Sequence, residues 1–171
     1  GEADVRLGAR GARQVPNALG AAAAGGGVGV PVEQIALGLR IAALSGLRME
    51  LTTTPSGVIV INDAYNANPT SMTAALNSLA TLRAGRRGAV LGAMAELGDD
   101  SDAAHAGITR TAIELGGEVI AVDAPAYGDG ARHVAGVDAA VAALADLADG
   151  DAVLVKASRA AALERVANRL V

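Results

Sequence analysis

In Val58-Ile59-Val60-Ile61-Asn62-Asp63-Ala64-Tyr65-Asn66-Ala67-Asn68-Pro69-Thr70-Ser71-Met72, a β-branched run gives way to a polar turn and then to a helix start. Four consecutive β-branched residues, 58–61, suit a strand buried on both faces of a parallel sheet rather than the alternating pattern of a half-exposed one. Asn68 is a capping residue and Pro69 fits the first helical position. Met72, Leu76, Leu79 and Leu82 then place one apolar face on the helix, which Gly85 ends.

The same unit recurs outward from this stretch. Ala89-Val90-Leu91 is followed by a loop and a helix over Ser101 to Leu115, closed by Gly116-Gly117. Next come a strand over Glu118 to Val122, a weaker segment around His133 to Val137 and a helix from Asp138 to Leu147. Ala152-Val153-Leu154-Val155 is the last strand, with a helix to Leu170. Strands alternating with helices predict a mostly parallel, three-layer α/β sheet. Before Met49 the pattern differs. A short strand is expected near Val5 to Leu7, then a helix from Pro16 to Ala24 stopped by Gly25-Gly26-Gly27-Val28-Gly29-Val30-Pro31, then a helix from Val32 to about Ala43. One strand and two helices make a poor domain alone, so this stretch is expected to be the tail of something larger or a hairpin packed on the next domain.

Composition removes several functions. The 171 residues are 51% hydrophobic but only 1% aromatic, with net charge −4 and no Cys. Tyr65 and Tyr127 cannot build a stacking platform for single strands, and the charge lacks a phosphate-neutralising footprint, so no nucleic-acid partner is expected. Without Cys there are no disulfides, thiolate metal sites or cysteine nucleophiles. No apolar run reaches the roughly 20 residues of a membrane span, and Gly1-Glu2-Ala3-Asp4 does not open like a secretory signal. A cytoplasmic protein is expected.

Ligands of parallel α/β sheets bind beyond the carboxyl ends of the strands. Three such ends are polar here: Asn62-Asp63 with Tyr65 to Asn68, Glu96, and Lys156 with Ser158-Arg159. Asp63 could accept from a ribose or a cation. Asn66 and Asn68 either offer amide edges to an adenine or serve as turn and cap. Lys156, the only lysine, either joins Ser158 and Arg159 in an anion site at a helix start or pairs with an acidic neighbour. Arg48 either reaches a phosphate or lies on the surface. His105 shares a helical face with Ile108 and Ala112, which favours a packed imidazole over a general base, and two His without Cys make a poor zinc site. There is no G-x-x-x-x-G-K-[ST], since Val155 precedes Lys156. The glycine cluster at 25–29 fails G-x-G-x-x-G, and no G-x-S-x-G elbow occurs.

The string from Val60 to Met72 closely resembles the signature of the Mur ligase family, in the branch that adds D-alanyl-D-alanine. Gln14 to Leu19, Leu91 to Gly98 and Val153 to Arg159 resemble further segments of that family in the same order. The resemblance implies that residues 1–46 are the end of a central ATPase domain and 47–171 a Rossmann-like carboxyl-terminal domain. The amino-terminal domain and the P-loop part of the central domain would be missing partners of a fragment inactive by itself. It implies an ATP- and Mg2+-dependent reaction. The carboxylate of a UDP-MurNAc-tripeptide is activated as an acyl phosphate and attacked by the amine of D-Ala-D-Ala, and the carboxyl-terminal domain closes over the nucleotide. On matching positions Asn17 would contact adenine, Arg48 the phosphates and Asp63 the ribose region, with Asn66 and Asn68 on the same nucleotide edge. Lys156, Ser158 and Arg159 would lie on the amino-substrate side. No residue here is assigned as catalytic or as a metal ligand.

Three positions depart from the family pattern: Arg13 stands where His is frequent, Ala93 replaces an acidic residue and Ala157 replaces a common Gly. A ligase of the same superfamily with another amino substrate, and a non-catalytic module binding a nucleotide or dipeptide, are the alternative expectations.

Overall fold

The computed structural model describes residues 2–7, 14–42 and 49–171. Arg13 and Arg48 lie outside them. The chain divides into two compact units, residues 1–45 and 46–171.

In the first unit, α1 (Gln14–Gly27) and α2 (Val32–Ile41) follow one another through a turn in which Gly29 has φ +83°. The helix end expected at Ala24 moves three residues on: α1 runs through Gly25 to Gly27, and the chain reverses at Val28-Gly29, inside the segment expected to stop it. Val5 to Leu7 carries no strand, because a strand needs a neighbour and no residue among those described pairs with it. Val5, Val15, Leu19, Ile35 and Leu39 instead line an apolar cleft of about 620 Å³. No residue of α1 is buried, and in α2 only Ala36 is.

The second unit is a six-stranded sheet. Its strands are β1 (Glu50–Thr53), β2 (Ile59–Asn62), β3 (Arg87–Leu91), β4 (Glu118–Val122), β5 (Arg132–Val134) and β6 (Ala152–Lys156), in the order β1-β2-β6-β3-β4-β5. All neighbours are parallel except β1, which runs antiparallel to β2. Four helices flank the sheet: α3 (Pro69–Ala80), α4 (Ser101–Glu114), α5 (Gly136–Ala142) and α6 (Glu164–Leu170).

The alternation of side chains along each strand separates two cores. Ile61, Leu91, Val119 and Leu154 face Met72, Leu76 and Leu79 of α3 and Ile108 of α4. Val60, Val90, Ile120, Val153 and Val155 face Ala140 of α5 and Val166 and Ala167 of α6. The expected mostly parallel, three-layer α/β fold is therefore present. Between their ends its central strands are apolar, as covering both faces demands.

β6 lies between β2 and β3, with Asn62 opposite Val155 and Leu91 opposite Lys156. This register brings the carboxyl ends of the three strands together, as their polar sequences required.

Two helices differ from expectation. α5 begins at Gly136 and ends at Ala142, with turns continuing toward Leu147. The last helix does not start at Ser158; a 3₁₀ turn (Arg159–Ala161) and Ala162 in the left-handed region at φ 49° intervene before α6. Ser158 and Arg159 therefore sit at a 3₁₀ turn and not on the first turn of α6.

At the opposite end of the sheet, Asp151 fastens the entry to β6. Its carboxylate accepts the N–H of Ala148 at 2.9 Å and of Arg86 at 2.9 Å, which holds its pKa below the usual carboxylate range, Ala148 contributing most. Asp146, hydrogen-bonded by Arg86, and Asp138, hydrogen-bonded by Arg169, are lowered likewise. A carboxyl whose folded pKa is depressed stabilises above its unfolded value, about 3.9. That stabilisation is lost as pH falls through the folded value. Thermal midpoints measured between pH 6 and pH 2 are therefore expected to fall most steeply below about pH 4. Asp151→Asn should have a lower midpoint at pH 6 and a shallower acid slope than the unaltered chain. Equal slopes would remove Asp151 from this role.

Candidate functional site

The carboxyl-terminal edge of β2 is shaped by two carboxamides and a carboxylate. The Asn68 side chain accepts the Ser71 N–H at 2.8 Å while the Ser71 hydroxyl accepts the Asn68 N–H at 3.1 Å, a reciprocal capping box that starts α3. Asn66 Oδ1 accepts the Ala67 N–H at 2.8 Å. Both carboxamide oxygens thus shape the turn, while Tyr65, Asn66 and Asn68 remain exposed. Asp63 is 3% exposed. Its Oδ1 accepts the Met49 N–H at 3.0 Å and its Oδ2 lies 2.5 Å from Lys156 Nζ.

Lys156, at the end of β6, is 1% exposed and turned into the protein. Its ammonium also donates to the Asn66 carbonyl at 2.6 Å. One cation therefore ties the loop after β2 to the adjacent strand, through a side chain and a main-chain oxygen together. Low dielectric strengthens such a pair and also makes either partner costly to leave alone. Of the two readings open for Lys156 in the sequence, pairing with an acidic neighbour is the one whose contacts are present.

Beyond Lys156 the chain turns outward. Ser158 is 7% exposed and gives its N–H to Ala93 at 3.1 Å, while Arg159 is exposed. The Arg159 guanidinium carbon lies 5.8 Å from the centre of the Tyr65 ring. The ends of β2 and β6 are thereby linked at two levels, by Asp63–Lys156 inside and by Tyr65–Arg159 at the surface. Asn17, in α1, is exposed, and its amide donates to Gln14 at 3.3 Å.

The loop after β3 is braced by Tyr127 and His105, whose part in it no sequence pattern marks. Tyr127 is 1% exposed and its hydroxyl donates to the Gly92 carbonyl at 2.9 Å; burial pushes that hydroxyl well above its ordinary pKa. His105 Nε2 accepts the Met94 N–H at 2.9 Å and Nδ1 donates to the Ser101 carbonyl at 2.7 Å. These two contacts assign the proton to Nδ1. His105 therefore packs, edge-on to Tyr127 at 4.8 Å, as its helical face indicated. Glu96 occupies the left-handed region at φ 63°. A Cβ on Gly92 would come within 2.8 Å of the Ala157 methyl, so the strand end requires glycine there.

Among the described residues no group of three His, Cys, Asp or Glu side chains could hold a metal ion, and no helix is long and apolar enough to cross a membrane.

The family model described as Mur ligase, glutamate ligase domain, matches residues 47–159. The UDP-N-acetylmuramoyl-tripeptide--D-alanyl-D-alanine ligase of Mycobacterium tuberculosis is 46% identical over 99% of this chain and 40% of its own length. Among solved structures, MurF from Acinetobacter baumannii superposes with TM-score 0.84 at 32% identity, over 97% of this chain and 39% of its own. MurF from Thermotoga maritima in complex with ADP gives 0.79 at 25% identity, over 97% and 40%. The chain spans about 40% of the length of these relatives.

Two stability experiments test this geometry. Lys156→Met should destabilise the chain by about 3–5 kcal/mol in urea unfolding, because it strands the Asp63 carboxylate. Adding Asp63→Asn should recover a large part of that loss, and additive effects would mean the pair is not coupled. Tyr127→Phe should cost about 1–3 kcal/mol, since the Gly92 carbonyl loses its buried donor; an unchanged unfolding midpoint would dismiss the brace.

Proposed function

The chain belongs to the Mur ligase family, and from that premise we propose that it works as the carboxyl-terminal portion of an ATP-dependent ligase joining D-alanyl-D-alanine to UDP-MurNAc-tripeptide in peptidoglycan precursor synthesis. The observation that carries this reading is the 46% identity running over 99% of the chain to a ligase of that name. In this reading residues 1–46 complete the central ATPase domain and 47–171 form the domain that closes over the nucleotide. The apolar cleft of the first unit supports the first assignment, since such a surface suits burial under further chain. A cytoplasmic location goes with the reading.

ATP supplies the phosphoryl group that activates the tripeptide carboxylate. The chemistry of this chain is then positioning. The exposed amide of Asn66, with Asn68 beside it, would border the nucleotide, and Asn17 and Arg48 would contribute from the adenine and phosphate sides. Asp63, its carboxylate buried between Met49 and Lys156, would serve the ribose region by fixing the loop that borders it. Ser158 and Arg159 would face the incoming dipeptide. Lys156 belongs to the same side but acts through the loop it holds. The Asp63 carboxylate is so engaged, and other acids so scattered, that the described residues do not fit a magnesium site. In this reading magnesium and the phosphate cradle belong to the P-loop portion, and no step through them is derived for this chain.

The test is a chimera in which residues 1–171 replace the matching region of the Mycobacterium tuberculosis relative. Phosphate release is expected to require both UDP-MurNAc-tripeptide and D-Ala-D-Ala, and the 171-residue chain alone should release none. Release that proceeds equally well with an unrelated amino acid would replace this reading with a ligase of other specificity. A folded chimera that binds ATP yet never ligates would leave a binding module.

A further inference from the structure

The Arg159 guanidinium, 5.8 Å from the centre of the Tyr65 ring, gives the dipeptide side of this edge a more specific chemistry. We propose that Tyr65 is a positioning residue that holds the Arg159 guanidinium flat, so that its in-plane N–H groups read the terminal carboxylate of the amino substrate. The inference rests on the ligase reading above.

Tyr65 follows β2 and Arg159 follows β6, two parallel neighbours whose ends the Asp63–Lys156 pair fixes against each other. The relative placement of ring and guanidinium is thus set by buried structure, although both side chains are exposed. A guanidinium lying over an aromatic face directs its donors outward in its own plane, where a planar anion can accept two of them. Among the described residues no acidic side chain forms an ion pair with Arg159, whereas Arg86 pairs with Glu118 and Asp146 and Arg169 with Asp138. No described carboxylate therefore neutralises its charge.

The surroundings favour a singly charged carboxylate over a phosphate. The other cation at these strand ends, Lys156, is turned inward. The Ser158 N–H goes to Ala93, the Ala161 N–H to Ser158 and the Ala162 N–H to Arg159, so these amides make no cradle for a phosphate. The following helix begins only at Glu164.

The experiment is an NMR titration of the 171-residue chain, reading the Arg159 Nε–H and the Tyr65 ring. D-Ala-D-Ala, its carboxyl-terminal amide and inorganic phosphate are the three probes. Both signals are expected to move with D-Ala-D-Ala and to stay in place with the amide and with phosphate. Tyr65→Leu should weaken dipeptide binding roughly 2- to 5-fold, and Tyr65→Phe less than about twofold, because the ring remains. Arg159→Lys should weaken it by on the order of tenfold, since an ammonium cannot make the paired contact. These variants should leave the thermal midpoint in place, which a merely structural role would not. Equal shifts with dipeptide and amide would overturn the carboxylate assignment, and a response to phosphate alone would turn the site into a phosphate site. Silence toward all three would overturn the proposal for this chain, while turnover of the chimera separately judges the ligase reading.

Discussion

A buried ammonium against a buried carboxylate organises this edge of the molecule. Lys156 and Asp63 sit at the ends of adjacent parallel strands, 1% and 3% exposed, and each is supplied with further hydrogen-bonding partners from the main chain. Hydrophobic packing can hold two strands side by side, but it does not fix what the chain does after leaving the sheet. The ion pair does so for the loop after β2. Because that loop then supplies the capping box of α3, the same contact also orients the first helix of the domain.

Around this point the molecule uses its few polar groups economically. Tyr127 and His105 brace the loop after β3, while the main chain of Ser158 and Gly92 bonds to Ala93 and Lys156. Three strand ends are thus connected laterally above an apolar sheet. Such a preorganised edge suits positioning chemistry, in which a rigid frame presents a small number of side chains to a ligand.

The elements legible in the sequence were those whose side chains are apolar on both faces or repeat at helical spacing. β2, β3, β4, β6, α3 and α4 are of this kind. β1 was not read because Glu50-Leu51-Thr52-Thr53 is a half-exposed edge, with no continuous apolar run to mark it. The segment from Gly25 to Pro31 does stop α1, but helical hydrogen bonding continues through its first three glycines until Gly29 takes a positive φ. At the site, residue types and strand-end positions were readable, but directions were not. The sequence leaves Lys156 open between an anion site and an acidic neighbour, and Asp63 between a ribose and a cation, because nothing in a linear order says that positions 93 apart share a wall. The sign available was chemical: a lone lysine ending a wholly apolar strand needs a counter-charge nearby.

A Cβ at Gly92 would meet the Ala157 methyl at 2.8 Å, Leu163 at 3.0 Å and Ala161 at 3.2 Å. The strand end, the chain just after β6 and the approach to α6 thus close on one small space. Glycine at 157 would remove only the nearest of the three contacts, so no single exchange among these neighbours frees position 92 to carry a side chain.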